Sequence, residues 1–346
     1  MKKIVNLKNF LHKKIFIIAE IGHNHQGSLE IAKEMILKAK LSGVDAVKLQ
    51  KRSNKNLYTK EFYNTPYDNE NSYGKTYGLH RDYLEFNFNQ YKALSDYAKK
   101  INIIFFATPF DFESVDFLEK VKVPLYKIAS ADINNEPLLN YIAKTKKPIL
   151  LSTGGCNFSD INRAVKSIYS INRNLAIMHC TASYPCEIKD LNLNVIKKLR
   201  KKFKNLPIGL SDHENGIDAA PIAYMLGARI FEKHFTLNRS WKGTDQAFSL
   251  EPLGLSKMVR NLKRIPLMLG SENKKILKCE IKPINKMKKS IVAAKDLCKG
   301  QTIQMKDLAF KSPGGGLEPY NFKYFLEKKL KINLKKDDLL SFKNVY

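Results

Sequence analysis

Eight short apolar runs, each closed by a polar residue and followed by a helix-like stretch, constrain the fold of this chain more than any other feature. They are "IFIIAE" ending at Glu20, "DAVKLQ" ending at Gln50, "NIIFFATPF" reaching Thr108, and "LYKIAS" ending at Ser130. The second four are "PILLST" with Ser152 and Thr153, "LAIMHCT" with His179, "PIGLSDH" with Ser211 to His213, and "ARIFEKH" ending at His234. Amphipathic stretches lie between them. "SLEIAKEMILKAKLSG" opens on Ser28, a residue type that caps helix N-termini, and closes near Gly43. Strands apolar on both faces and alternating with helices predict a parallel sheet. Eight such units predict a (β/α)8 TIM barrel, with chemistry at the strand ends. The alternative is an open doubly wound sheet. Its G-x-G-x-x-G fingerprint would follow the first strand, and "AEIGHNHQG" has the wrong spacing.

The barrel is expected over 1–270. Residues 53–90, rich in Tyr, Asn and Gly, read as a long insertion lying over the barrel mouth. After Gly270 the pattern changes. "SENKKILKCEIKPINK", 271–286, reads as a polar linker, and 287–346 as a small β-rich domain containing a Pro-Gly-Gly-Gly hinge.

The net charge is +27. A Lys-rich solvated surface accounts for it, and attraction of small anionic substrates is the second reading. Nucleic acid is not an expected partner. Acidic residues interleave with the basic ones, as in "LEKKLKINLKKDD", and no zinc-finger, RNP or helix-turn-helix pattern stands out. No apolar run approaches the ~20 residues of a membrane span, so no membrane association is expected. The N-terminal "MKKIVNLKNFLHKKIF" lacks the apolar core of a signal peptide. Five cysteines without a C-x-x-C pair predict reduced thiols and a cytoplasmic location.

His213 and His234 close consecutive strands. Neighbouring strands lie about 4.8 Å apart, so both imidazoles can reach one point. Two converging imidazoles suit a divalent transition metal with open positions, acting as a Lewis acid. The competing reading is a pair of hydrogen-bonded core histidines. Lys48 and Lys127 each stand before a strand-end polar group, on alternate positions that share a face. With the hydroxyls of Thr108, Ser130, Ser152 and Ser211 they would hold a phosphate or carboxylate. A Schiff-base lysine of an aldolase is the alternative.

Read together, "FIIAEIGHNHQGSLEIAKEMI", "DAVKLQK", "FFATPFD", "YKIASAD", "LLSTGG", "HCTASYP", "IGLSDHENGI", "FEKHFTLNRSWKGTDQAFSLEP" and "SIVAAKDL" resemble the sialic acid synthase (N-acetylneuraminate synthase) family, in family order and over nearly the whole chain. The C-terminal segment resembles that family's antifreeze-like (SAF) domain. The resemblance implies a metal-dependent condensation of phosphoenolpyruvate and water with N-acetylmannosamine or its 6-phosphate. The products would be N-acetylneuraminate or its 9-phosphate, and phosphate. The alternative is legionaminic or pseudaminic acid synthesis from a 6-deoxy N-acylated sugar. On this resemblance His213 and His234 match metal ligands, usually for Mn2+, with Mg2+ or Co2+ as substitutes. Lys48, Thr108, Lys127, Ser130, Ser152 and Ser211 match phosphoenolpyruvate-binding positions. Glu20, Gln50, Tyr184 and Asp245 match positions near the sugar or the reacting centre. The small domain would close the partner's site in a domain-swapped homodimer.

The chain also departs from the family pattern. Asp132, counted with the catalytic candidates, stands where many members have Glu. Ala182 stands where some have a polar residue. Ser312 stands where many have an arginine, leaving Lys311 as the candidate contact to the sugar.

Overall fold

A computed structural model describes residues 6–11 and 14–346, so parts of the basic N-terminal stretch lie outside the described residues. Eight parallel strands close into a barrel in chain order: β1 Phe16–Gly22, β2 Ala46–Lys51, β3 Ile104–Pro109, β4 Tyr126–Ile128, β5 Ile149–Ser152, β6 Leu175–Cys180, β7 Ile208–Asp212 and β8 Ile230–His234. Closure is made by β1 against β8, with Glu20 in register with His234. The expected TIM barrel is thus formed, and the open sheet is not.

Local chemistry explains the alternation. Ser28 caps the helix Leu29–Leu41 by accepting from the Ile31 amide at 3.3 Å. One face of that helix, with Ala32, Met35, Ile36 and Ala39, is fully buried against the sheet. Strand residues that point outward, such as Ile17, Ala19 and Ile21, are equally buried, which is why each strand reads as an unbroken apolar run.

β7 and β8 approach closely at Gly209, where a Cβ would lie 2.6 Å from the Ile230 carbonyl oxygen. Gly209→Val is therefore expected to cost about 3 kcal/mol, the upper end of core overpacking. Urea unfolding measures this, and an unchanged midpoint would contradict the close approach.

Residues 53–90 are more ordered than a loop. They carry the short helices Asn54–Leu57, Lys60–Asn64 and Tyr77–Leu84. Tyr58, Phe62, Tyr67 and Tyr77 pack on one another with ring centres 4.8–5.5 Å apart. Two bonds tie this insertion to the loop after β8: Tyr73 Oη donates to the Lys242 carbonyl at 2.7 Å, and the Gly243 amide donates to Asn71 Oδ1 at 2.9 Å.

The chain divides into two compact units, Met1–Leu269 and Gly270–Tyr346. In the second, β9 Ser290–Ala293 pairs antiparallel with β10 Leu308–Lys311. Its separate core includes Ile291, Leu297, Ile303, Phe325, Leu330 and Leu340. The stretch read as a linker carries the helix Lys278–Met287. Its apolar residues Ile281, Ile284 and Met287 have helical spacing, masked in the sequence by interleaved lysines and by Pro283. No helix among the described residues is long and apolar enough to cross a membrane.

Candidate active site

A cavity of about 650 Å³ opens at the C-terminal ends of the barrel strands. His213 and His234 share one side of it, with ring centres 5.3 Å apart. The His213 Nδ1 lies 2.9 Å from the Thr181 carbonyl and donates to it, which leaves Nε2 with the lone pair. Burial lowers both imidazoles to about 4, so both are neutral near pH 7. Among the described residues the buried His234 Nδ1 has no hydrogen-bond partner, and Asp245 Oδ2 stands 3.7 Å from it. His234, unlike His213, is therefore not a satisfied core histidine.

The pair fits a divalent ion. Two neutral imidazoles with ring centres 5.3 Å apart are a donor set that could hold one such ion. No cluster of three His, Cys, Asp or Glu ligands occurs among the described residues, so these residues form no closed structural metal site. Tyr184 packs on His213 at 4.1 Å and Phe248 on His234 at 4.9 Å, giving the pair an apolar wall.

The two lysines form a buried network with carboxylates. Lys48 Nζ lies 2.8 Å from Glu20 Oε2, 3.7 Å from Glu232 Oε1, and donates to Thr108 Oγ1 at 2.9 Å. Lys127 Nζ donates to Glu232 Oε1 at 3.0 Å, and Ser211 Oγ donates to the same oxygen at 3.2 Å. Gln50 Nε2 donates to Glu20 Oε1 at 2.8 Å. Burial raises the Glu20 carboxyl against the pull of Lys48. Burial acts on Glu232 too, but Lys127 and Lys48 outweigh it and hold this carboxyl at about 2. Ser130 Oγ accepts from the Gly154 amide at 2.9 Å. Ser152 Oγ is buried with no hydrogen-bond partner among the described residues, although it lines the cavity.

Glu20, Gln50 and Asp245 meet around Gly22, whose φ is +53°. A Cβ there would lie 3.3 Å from Gln50 Nε2, 3.4 Å from Glu20 Oε1 and 3.7 Å from Asp245 Oδ2. Glycine supplies the backbone conformation, and a Cβ there would press only on the Gln50 amide.

Asp132 ends the turn Ser130–Asp132 and is not among the residues lining the cavity, although Ala131 and Ile133 on either side of it are. Burial raises its carboxyl to about 6. Lys311 belongs to the second unit, where it pairs with Asp337, a partner the sequence did not suggest.

Other wall residues were not among the candidates: Glu232, Arg52, Arg81 and Thr244. Glu232 precedes His234 by two and Arg52 follows Gln50 by two, so strand alternation points to both. No local pattern marks Arg81, which the insertion delivers.

The pattern of the NeuB family matches residues 35–274, and that of the SAF domain matches 288–345. The N-acetylneuraminate-9-phosphate synthase of Homo sapiens is 38% identical over 94% of this chain and 91% of its own length. The N,N'-diacetyllegionaminic acid synthase of Campylobacter jejuni is also 38% identical, over 95% of this chain and 99% of its own. The solved N-acetylneuraminic acid synthetase of Leptospira borgpetersenii, in complex with citrate, superposes with a TM-score of 0.68 at 34% identity, covering 79% of this chain and 90% of that one. Barrel, appended domain and relatives of nearly equal length agree: the chain belongs to the NeuB family and carries a SAF domain.

Proposed function

We propose that the protein condenses phosphoenolpyruvate and water with the open-chain aldehyde of an N-acylated mannosamine-type sugar, giving a nine-carbon 2-keto sugar acid and phosphate. One observation carries this reading. A single cavity sets a neutral histidine pair beside a buried lysine–carboxylate network and an unpartnered Ser152 hydroxyl.

Lys48 and Lys127 bind the phosphate and carboxylate of phosphoenolpyruvate, assisted by Thr108, Ser130, Ser152 and Ser211. The network is balanced without substrate, two lysines against Glu20 and Glu232. An arriving anion favours protonation of one carboxylate, and Glu20 is the one whose pKa burial has already raised. Carbon 3 of phosphoenolpyruvate attacks the aldehyde carbon, and the aldehyde oxygen takes a proton to become a hydroxyl. Water adds at C2, and phosphate departs with cleavage of its C–O bond, leaving the ketone. Glu20 supplies and recovers the proton, while Gln50 and Asp245 orient sugar hydroxyls. His213 and His234 would hold a divalent cation, proposed to be manganese with magnesium or cobalt as substitutes, which would supply Lewis-acid polarisation of the sugar's carbonyl oxygen.

A Schiff-base aldolase is disfavoured because Lys48 and Lys127 are both engaged in buried ion pairs, with Glu20 and Glu232, that an attack on a carbonyl would have to break. The test is phosphate release from phosphoenolpyruvate with N-acetylmannosamine, its 6-phosphate, and a 6-deoxy diacetylated sugar. Trapping of pyruvate on the protein by borohydride, without phosphate release, would replace the synthase reading with the aldolase.

We also propose a homodimer in which the SAF unit of one copy closes the barrel of the other. The family resemblance supports it, as do Ile281, Ile284 and Met287, which the helix Lys278–Met287 leaves exposed. A chain ending at Leu269 is expected to keep its barrel, by circular dichroism, and to lose more than about 90% of its activity, because water enters an uncovered site. Full activity of that truncated chain would refute the closure. The five free cysteines support a reducing compartment, and the proposed location is the cytoplasm.

A further inference from the structure

We propose that Arg52 and Arg81 form a second anion subsite in the cavity wall, and that the acceptor sugar carries a phosphate ester which they bind; this rests on the synthase reading above. Arg52 follows β2, is 8% exposed, and lies over the Phe110 ring at 3.8 Å. Its Nη2 donates to Gln50 Oε1 at 2.7 Å. Arg81 comes from the helix Tyr77–Leu84 and donates to Tyr77 Oη from Nε at 3.1 Å and Nη2 at 2.9 Å. Both guanidinium groups line the same cavity as the histidine pair and Asp245.

Between the two arginines stands His23. Arg52 Nη1 is 3.2 Å from its Nε2, and Arg81 Nη1 is 3.2 Å from its Nδ1. Burial and the two arginines hold this imidazole well below its usual range, so it is neutral. A neutral imidazole has one lone pair and accepts from one donor only. One guanidinium therefore faces an N–H, and that contact is unsatisfied. Nor does a carboxylate resolve it. Neither arginine forms an ion pair among the described residues. Of the nearby acids, Glu85 is engaged by Lys51 at 2.7 Å and faces His23 at 3.6 Å, Asp245 faces His234 at 3.7 Å, and Asp132, on which the Arg52 charge also acts, forms no ion pair with it among the described residues.

Two like charges on either side of one imidazole, Arg52 buried and Arg81 half-buried, repel each other at a cost when neither has an ion-paired counter-charge. An anion bridging the two forks removes the cost. Guanidinium groups suit phosphate, because a fork donates two parallel hydrogen bonds to two of its oxygens. The anion is not the phosphate of phosphoenolpyruvate, because Lys48, Lys127 and Ser152 already provide for that group elsewhere in the wall. It belongs to the other substrate. Asp245 lies next to the histidine pair, where the aldehyde reacts, and its charge also acts on Arg81 and His23. The ester is thus placed at the far end of the sugar from its aldehyde. A 6-deoxy sugar has no hydroxyl there to carry it.

The experiment compares N-acetylmannosamine with its 6-phosphate, in the presence of phosphoenolpyruvate and manganous chloride, for the full-length wild type, Arg81→Gln and Arg52→Gln. The wild type is expected to favour the 6-phosphate in kcat/KM by about 100-fold. Each variant is expected to reduce that preference by about 10–100-fold, the loss of one or two charged hydrogen bonds, with Arg81→Lys intermediate. Titration calorimetry with the two sugars alone reads the subsite without turnover, and should show the same ratio falling. An equal preference of the wild type for the two sugars overturns the subsite even if a variant misfolds. So does a variant that raises the KM for phosphoenolpyruvate while leaving the sugar ratio intact. Absence of phosphate release with every sugar would instead refute the synthase reading, and calorimetry would still decide the subsite.

Discussion

Replacing His234 with alanine is expected to reduce turnover by about 10³-fold or more while leaving the fold in place. The reduction follows from the proposed role of the pair: His213 alone would hold the ion loosely, and the Lewis-acid polarisation the ion would supply is expected to lower the barrier by several kcal/mol. The survival of the fold follows from the contacts. Nδ1 of His234 has no hydrogen-bond partner among the described residues, so alanine strands no buried group there. His213→Ala should be equally inactive but slightly less stable, by about 1 kcal/mol, because it also deletes the bond to the Thr181 carbonyl. Phosphate release, thermal melting and metal content of the purified protein measure the three quantities. Chelation should inactivate the wild type, and manganese should restore it. Full activity in excess chelator would refute a catalytic ion.

Lys127→Met is expected to act twice. It should raise the KM for phosphoenolpyruvate strongly, since losing a charged contact to a desolvated anion costs about 2–5 kcal/mol. It should also destabilise the protein by about 3–5 kcal/mol, because Glu232 would keep only Lys48, at 3.7 Å, and the Ser211 hydroxyl. The two effects can be separated. Adding Glu232→Gln removes the stranded charge and should recover most of the stability without recovering the KM. Denaturant midpoints for the two single variants and the double variant give the coupling directly. A Lys127→Met protein that is as stable as the wild type, or that weakens both substrates equally, would show that this lysine does not bridge Glu232 and the anion.

The candidate site was legible where strand periodicity reached it. Positions two apart on a strand share a face, so Lys48 with Gln50, and Ser211 with His213, read as groups aimed into one mouth. Glu232 and Arg52 obey the same rule beside His234 and Gln50, yet a charge at a strand end carries no mark of whether its partner is water or a buried ion. The helix Lys278–Met287 was hidden for a related reason. Its apolar stripe is only three residues wide, and lysines on the remaining faces make the composition resemble a linker.

By itself the sequence determined the number and order of the strands, their parallel pairing, and the ends at which polar residues collect. Those properties follow from local patterns, apolar runs and caps, that any short window of chain displays. Only the tertiary structure decided that Lys127 meets Glu232 across 105 residues, that Asp132 is not among the cavity's lining residues, and that Arg52 and Arg81 close on His23 from opposite sides. Those contacts depend on barrel closure and on where the insertion 53–90 comes to rest. Ionisation and hydrogen bonding are then set by which groups share a space without water, a property of the folded chain that no local stretch of sequence contains.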